Sequence, residues 1–381
     1  MKYYDKLIFN LSKVGRKGYH IKTNPFPEIS LPTALTRGQK ANLPEASELD
    51  VVRHYTNVSQ KNFGIENGFY PLGSCTMKYN PKINDELATL SGFAQIHPLQ
   101  PVETVQGLLK IYYETQEMLA EISGLKAYSL NPFAGAHGEL AGLMIIKKYH
   151  ETRGDLKRTK IIVPDSAHGT NPASATVCGF ETIEIKSNID GTINLDALKE
   201  VLGDDIAGLM LTNPNTAGVF EKDICEISKL VHKSGGLLYY DGANLNALLG
   251  KAKPGDMGFD ITHINLHKTF STPHGGGGPG SGPVGVCERL VDYLPNPIVK
   301  EKDGFFYFED SDLSIGALGS FYGNTSVYIR AYIYLRTLGK EHLDKIGPYA
   351  VLNANYVKES LKDLFELPIK GHCMHEFVFD G

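Results

Sequence analysis

The stretch that decides the fold is HINLHKTFSTPHGGGGPG, residues 263–280. A single lysine, Lys268, separates an apolar lead-in from a run of glycine and proline. Such a run forms neither a stable helix nor a central strand, because glycine loses much entropy on folding and proline lacks a backbone donor. It predicts a loop that packs closely on a ligand, followed by a buried strand over 284–287. A lysine there is a candidate for imine chemistry, and a surface lysine beside a flexible loop is the alternative.

The composition is that of an ordinary globular protein. The chain has 381 residues, of which 42% are hydrophobic and 21% charged, so a sizeable core and two or three domains are expected. The net charge is −5 without a lysine and arginine block, which makes nucleic acid and membranes poor partners. Five scattered cysteines without a CxxC pair argue against disulfides or structural zinc and fit the cytoplasm. We find no signal peptide and no membrane-spanning apolar run.

The chain is predicted to form three parts. Residues 1–60 are expected to form an extended arm with a short helix over 47–55, because prolines interrupt the pattern. Such an arm suits contact with a neighbouring subunit. Residues 61–330 are expected to form a large α/β domain, and residues 331–381 a smaller C-terminal domain. The abrupt ending of that last part makes it look truncated.

From Tyr128 onward, short apolar runs alternate with helical patterns, which predicts a mostly parallel sheet with helices on both faces. The predicted strands are 160–164, 182–185, 207–211 and 236–240, and the predicted helices are 103–123, 194–201, 224–234, 326–338 and 345–361. Ligands bind at the carboxyl ends of the strands in such sheets. The polar residues that follow these strands are His168, Asn213, Asp241 and Lys268. The sequence therefore predicts a binding site at that edge.

A lysine and an aspartate at strand ends are the pair used by enzymes that depend on pyridoxal phosphate (PLP). Lys268 would bind the cofactor, and Asp241 would keep its pyridine nitrogen protonated. His168 is placed to stack on the ring. The small residues Ala134-Gly135-Ala136 open a helix, whose free N–H groups would hold the phosphate. Taken singly, each of these residues has an ordinary structural explanation as a turn, a hydrogen-bonded histidine or a tight loop.

Two other kinds of site are rejected. The glycines at 275, 277 and 280 match a dinucleotide fingerprint in form, but they precede a strand rather than a helix. The glycine run is not a phosphate-binding P-loop either, because no Gly-Lys-Ser/Thr follows it. A metal site is not predicted either, because there is no HExxH motif and carboxylates are scarce among the possible ligands. Those possible ligands are His137, Glu139, His168, His267 and His274.

Several long motifs point to one family. They are LHKTF at 266–270 with PHGGGGPG at 273–280, DSAHGTNPASA at 165–175, PLGSCTMK at 71–78, TNPNT at 212–216 and YDGAN at 240–244. These motifs resemble glycine decarboxylase, the P-protein family of the glycine cleavage system, over about residues 15–381. The similarity is to the half of the enzyme that forms subunit 2 in the split bacterial form. It implies the aspartate-aminotransferase-like fold of PLP enzymes (fold type I), an α/β large domain with a smaller C-terminal α+β domain.

The resemblance also implies a reaction, partners and site residues. Glycine would lose carbon dioxide and pass its aminomethyl group to the lipoyl arm of H-protein, with PLP as cofactor. The implied partners are glycine, lipoylated H-protein and a homologous subunit 1, with two copies of each subunit. The implied catalytic residues are Lys268, Asp241 and His168, with His168 or His274 handling protons. Further cofactor contacts are Ala134, Gly135, Ala136, Asn213, Ala243 and His267. Substrate contacts are Ser74, Cys75, Thr76, His274 and Asn324.

Two alternatives stay open on the sequence alone. Another PLP enzyme of the same fold, such as an aldolase or an amino-acid decarboxylase, would act on glycine without H-protein. A catalytically idle assembly subunit would gain no visible absorbance when PLP is added. The intact Lys268, Asp241 and His168 argue against the second alternative.

Overall fold

The computed structural model describes residues 6–19, 25–69, 75, 77–275 and 280–380. The chain forms two compact units, residues 1–71 and residues 72–381. The three-part division into 1–60, 61–330 and 331–381 stays a prediction.

The first unit contains little buried surface. Its helix α1 (Glu48–Ser59) begins after Ser47, whose hydroxyl accepts the Asp50 N–H at 3.2 Å and in turn donates to the Asp50 carboxylate. This reciprocal cap satisfies backbone donors that the first helical turn leaves free. Among the described residues of this unit, only Ala46 and His54 are buried. The short helix expected over 47–55 is therefore confirmed and runs on to Ser59.

The second unit is built on a sheet. Its strands are β1 (Ala127–Ser129), β2 (Lys160–Pro164), β3 (Glu181–Ile185), β4 (Ile206–Leu211), β5 (Leu237–Asp241), β6 (Ile261–His263) and β7 (Val284–Val286). Within the described residues the order is β1-β7-β6-β5-β4-β2-β3. β7 runs antiparallel to both its neighbours, and the pairs from β6 to β3 are parallel. A separate antiparallel hairpin joins β8 (Ile298–Lys302) to β9 (Phe305–Glu309).

The second unit also contains helices, several of which pack on the sheet. They are α2 (Lys82–Ala88), α3 (Ser91–Ala94), α4 (Gln106–Ser123), α5 (Gly135–Thr152), α6 (Thr170–Val177), α7 (Leu195–Val201), α8 (Ile224–Ser234), α9 (Leu266–Thr269) and α10 (Thr325–Leu361). Gly339 breaks α10 with φ 60° and ψ 179°, so the helices predicted over 326–338 and 345–361 are its two parts. Across the described part of the chain, no helix has the length and apolar character needed to cross a bilayer.

The sheet is buried on both faces because neighbouring residues of its strands enter different cores. Leu209 and Tyr240 belong to one cluster of buried side chains, while Met210 and Tyr239 belong to another. Side chains alternate across a strand, so consecutive apolar residues fill both faces. The predicted mostly parallel sheet is confirmed, and the carboxyl ends of β2, β4, β5 and β6 meet at one edge.

Asp260 fixes the start of β6, the strand that leads to Lys268. Its buried carboxylate accepts the Leu238 N–H at 2.8 Å and an Arg289 N–H at 2.6 Å, and it lies 2.7 Å from His232 Nε2. Burial alone would raise the pKa of Asp260, but these partners outweigh it and lower the pKa. The carboxylate therefore stays charged and ties β6 to β5.

Candidate active site

Lys268 lies in the one-turn helix α9, which begins at Leu266, shortly after β6 ends at His263. The sequence placed it on a loop, but its N–H donates to the Asn265 carbonyl at 3.1 Å and closes a helical turn. Only 9% of the residue is exposed. Lysine is rarely buried to this extent unless it has a specific partner, so the burial supports a functional role for its amine.

Asp241 ends the neighbouring strand β5 and is 4% exposed. One carboxylate oxygen accepts the Asn171 side-chain amide at 3.0 Å, and the other accepts the Ala243 N–H at 3.1 Å and lies 3.6 Å from His263 Nε2. Burial alone would raise the pKa of Asp241, but His263, Asn171 and Ala243 outweigh it and lower the pKa. A buried carboxylate that stays charged can hold a proton on a facing ring nitrogen.

His263 and Tyr239 support Asp241, and the sequence analysis missed both. The Tyr239 hydroxyl lies 2.6 Å from His263 Nδ1, so the imidazole bridges the phenol and the carboxylate. His263 pairs with Asp241 across the β5–β6 register. One signal was available, because residues two apart in a strand share a face and Tyr239 precedes Asp241 by two. Asn171 also escaped notice, although it lies within the motif at 165–175.

His168 follows β2 and is oriented by a chain of hydrogen bonds. Its Nδ1 accepts the Thr170 N–H at 3.2 Å, and the Thr170 hydroxyl donates to Glu139 at 2.9 Å. Glu139 is buried on α5 and is 2% exposed. These hydrogen bonds fix the direction of the imidazole ring, as a stacking role requires. That role itself stays a prediction.

The N-terminus of α5 packs tightly against the chain that leads to Lys268. Gly135 is its first residue, and a methyl group there would collide with the side chain of Asn265. A methyl group at Gly282 would collide with the carbonyl of Ala134. The N–H groups of Gly135 and Ala136 belong to the first helical turn, which binds anions well. The sequence predicts that the phosphate of PLP binds at this helix N-terminus.

Cys75, His267 and His274 form a second group beside Lys268. Cys75 Sγ lies 3.8 Å from His267 Nε2, and the two imidazole rings are 4.6 Å apart. Burial, His274 and Lys268 lower the pKa of His267 to about 3, so its ring is neutral. The three side chains bring their ligand atoms within 4.8 Å of one another. Because all of them border the candidate cofactor site, we assign no metal to them.

The side chain of Asn213 is engaged by residues of its own loop rather than by the candidate cofactor site. Its side chain accepts the Glu221 N–H at 2.9 Å, and its amide nitrogen lies 4.0 Å from Met257 Sδ. These contacts stabilise the loop after β4. The cofactor contact assigned to Asn213 stays a prediction without support from the side-chain geometry.

Asn324 joins two parts of the site. Its amide donates to the Phe133 carbonyl at 3.2 Å and to the Gly280 carbonyl at 2.5 Å. It therefore ties the end of the glycine-rich loop to the segment before α5. Its predicted substrate contact stays a prediction. The predicted contacts of Ser74 and Thr76 lie outside the described residues.

Lys78 is a further charged residue near Lys268. The Ser271 hydroxyl donates to the Tyr79 carbonyl at 2.5 Å, and Cys75 Sγ lies 3.8 Å from His267 Nε2. Residues on both sides of Lys78 in the sequence therefore contact α9 or the residues just after it. Burial and the charge of Lys268 lower the pKa of Lys78 to about 7. The motif at 71–78 contains Lys78, but only its small residues were singled out from the sequence.

The described residues around Lys268 fit PLP. Several buried polar atoms have no hydrogen-bond partner among the described residues, including Glu139 Oε1, Asn171 Oδ1, Asn265 Oδ1 and His267 Nδ1. Leaving such an atom unpaired costs about 1–3 kcal/mol. A bound polar molecule would satisfy them. The site also offers an amine for the aldehyde, a carboxylate for the ring nitrogen and a helix N-terminus for the phosphate.

Replacing Gly135 with alanine is expected to weaken PLP binding at least about tenfold, or ~1.4 kcal/mol, because the new methyl group displaces Asn265. Absorbance titration of the apoprotein with PLP would measure the change. The matched control is Gly107→Ala on α4, where a methyl group meets nothing within 4 Å. Equal PLP affinity in the two variants would contradict the phosphate assignment.

Comparison with known proteins shows which family the chain resembles. The family model described as glycine cleavage system P-protein matches residues 18–303. A probable glycine dehydrogenase (decarboxylating) subunit 2 from Caldanaerobacter subterraneus subsp. tengcongensis is 61% identical over 100% of this chain and 80% of its own length. The protein of the same name from Alkaliphilus oremlandii is 58% identical over 99% of this chain and 79% of its own.

Solved structures confirm the expected fold. Glycine decarboxylase (P-protein) of the glycine cleavage system, in inhibitor-bound form, superposes with a TM-score of 0.73 at 21% identity, over 90% of this chain and 79% of that one. Glutamate decarboxylase from Lactobacillus brevis superposes with a TM-score of 0.63 at 14% identity, over 93% and 79%. The fold is that of the aspartate-aminotransferase-like PLP enzymes. By its family match and its relatives, the chain belongs to the P-protein family of the glycine cleavage system.

Proposed function

We propose that this chain is a PLP-dependent glycine decarboxylase that passes the aminomethyl group of glycine to the lipoyl arm of H-protein. The observation that carries the proposal is the pairing of a buried lysine with a buried, charged aspartate at adjacent strand ends, in a member of this family. Lys268 and Asp241 supply the two groups that the chemistry requires. The surrounding residues hold both in place.

Each residue of the candidate site has a distinct proposed role. PLP, when bound, supplies a sink for the electrons left at the glycine α-carbon as carbon dioxide departs. Asp241 holds the ring-nitrogen proton, while His263 and Asn171 orient the carboxylate. The first turn of α5 binds the phosphate. Lys268 would hold the cofactor through its side-chain amine. His168 would lie against the ring and exclude water from one face.

We further propose that the chain works with a homologous subunit 1, with two copies of each subunit, in the cytoplasm. The relatives carry the name subunit 2. The first unit exposes several apolar side chains, among them Val14, Ile29, Leu35 and Leu43. Exposed apolar surface of this kind is typical of protein contact sites. This supports an arm that lies on a partner.

Exchange of labelled bicarbonate into the carboxyl group of glycine tests the function. We expect the chain mixed with subunit 1 to catalyse the exchange when lipoylated H-protein is present, and the chain alone to be much slower. Mixing should also raise the melting temperature, since association stabilises the folded form. H-protein without its lipoyl group is the control. An exchange rate that does not depend on H-protein would favour another PLP decarboxylase. If the chain gained no visible absorbance when PLP was added, a catalytically idle subunit would be favoured.

A further inference from the structure

The hydroxyl of Tyr239 lies at the far end of the contacts that hold Asp241. Tyr239 and Asp241 are two residues apart on β5 and so share a face, and His263 lies opposite Asp241 in the β5–β6 register. Tyr239 is fully buried, and His263 is 2% exposed. All three polar side chains therefore lie on the same side of the sheet, where α5 packs on β5 and β6.

Two glycines one turn apart on α5 make room for the tyrosine and the histidine. A methyl group at Gly142 would collide with the ring of Tyr239, and one at Gly138 would come within 3.1 Å of Cβ of His263. Residues four apart lie on the same face of a helix. The helix therefore packs directly on both side chains and confines them.

The hydrogens of this group follow from the donors and acceptors that each side chain offers. A phenol carries one O–H, a carboxylate only accepts, and a neutral imidazole has one N–H and one acceptor nitrogen. His263 Nε2 lies 3.6 Å from Asp241 Oδ1, so a hydrogen on Nε2 faces the carboxylate, whereas a lone pair would be repelled by it. Nδ1 is then the acceptor nitrogen and takes the O–H of Tyr239 at 2.6 Å. This arrangement directs both hydrogens at an acceptor.

The other neutral form of the imidazole is disfavoured at both ends. With its hydrogen on Nδ1, the ring would turn a lone pair towards Asp241 and would deprive the Tyr239 hydroxyl of its acceptor. Leaving a buried donor unpaired is costly. A phenylalanine ring would fill the same space in the core, so packing alone does not account for the hydroxyl of Tyr239.

We propose that Tyr239 is a positioning residue that acts on Asp241 through His263, by holding the imidazole with its hydrogen on Nε2. The proposal deepens the function proposed above and rests on it. A hydrogen that faces a carboxylate favours its charged form, and the charged form keeps the proton on the ring nitrogen of bound PLP. Because His263 and Asp241 separate Tyr239 from that nitrogen, loss of the hydroxyl should weaken the electron sink without changing how PLP or glycine is held.

The first test is the nitrogen NMR spectrum of the apoprotein with isotope-labelled histidine, because the shifts of the two ring nitrogens show which one carries the hydrogen. The signals of His263 are those missing from the spectrum of His263→Gln. In the wild type we expect the hydrogen on Nε2, and Tyr239→Phe should gain a share of the other form. The matched control is Tyr240→Phe on the same strand, whose hydroxyl donates to the Asn213 carbonyl at 2.8 Å, and it should keep the wild-type form.

The second test follows the consequence at the cofactor, with PLP labelled at its ring nitrogen and bound to the complex with subunit 1. The nitrogen signal should be that of a protonated ring in the wild type and should move towards the unprotonated position in Tyr239→Phe. The kcat of bicarbonate exchange should fall about tenfold, the low end of the loss seen when the partner that orients a metal-binding histidine is removed. The KM for glycine should not change. Tyr239→Phe should add nothing in a His263→Gln background, because its effect passes through the imidazole.

A hydrogen on Nδ1 of His263 in the wild type would overturn the proposal whether or not any variant folds. So would a wild-type imidazole spectrum in Tyr239→Phe, or an equal loss of kcat from Tyr239→Phe in the presence and absence of His263. PLP content and melting temperature would be measured for every variant. Failure of the proposed function would be seen instead as absent bicarbonate exchange in the wild type, whereas the histidine spectrum of the apoprotein requires no turnover.

Discussion

Lys268→Ala is expected to abolish covalent PLP attachment and to lower glycine decarboxylation by at least about 10⁴-fold, as loss of a catalytic nucleophile does in other enzymes. The reason is that the buried amine of α9 is the group placed to bind the cofactor, at the edge where β5 and β6 end. Reduction of the PLP-loaded wild type with borohydride, followed by peptide mapping, should find the pyridoxyl group on Lys268.

The mapping also separates Lys268 from its neighbour Lys78, which lies close enough for each charge to affect the other. Label on Lys78 would show that the wrong lysine had been assigned. The control is Lys126→Ala, a surface lysine paired with Glu288, and it should label as the wild type does. If Lys268→Ala still held PLP covalently and turned over glycine, the assignment would be wrong.

Asp241→Asn is expected to leave PLP bound but to cut turnover at least ~100-fold, the low end of what a positioned proton partner contributes. The amide has nearly the same shape, and the Asn171 amide can rotate to offer it an oxygen, since Asn171 Oδ1 has no other partner among the described residues. What the amide cannot do is stabilise a proton on the ring nitrogen. The packing should survive while the electronic effect is lost.

Bicarbonate exchange would measure the turnover of Asp241→Asn, and PLP titration of the same preparation would measure its PLP binding. The control is Asp196→Asn at the exposed start of α7, which should leave both unchanged. Near-normal turnover in Asp241→Asn would place Asp241 away from the ring nitrogen. Loss of PLP binding together with turnover would point to a structural role.

The sequence by itself determined the sheet and the principal pair of residues. The strand predicted over 160–164 and the helix predicted over 224–234 agree with β2 and α8, because apolar runs of strand length and helical spacing are local patterns. Lys268 and Asp241 could be paired in advance, because the carboxyl ends of successive parallel strands meet at one edge. The long motifs then sufficed to identify the family.

Only the tertiary structure decided which side chains surround that pair. The segment Cys373–Glu376 lies more than 100 positions beyond Lys268 in the sequence, and its place depends on its packing against Gly218. Asn213 looked like a ligand from its place after β4, yet its amide is engaged by Glu221. The physical reason is that a strand's end is set by local sequence, whereas burial, pKa and the direction of a side chain are set by whatever distant segments pack around it.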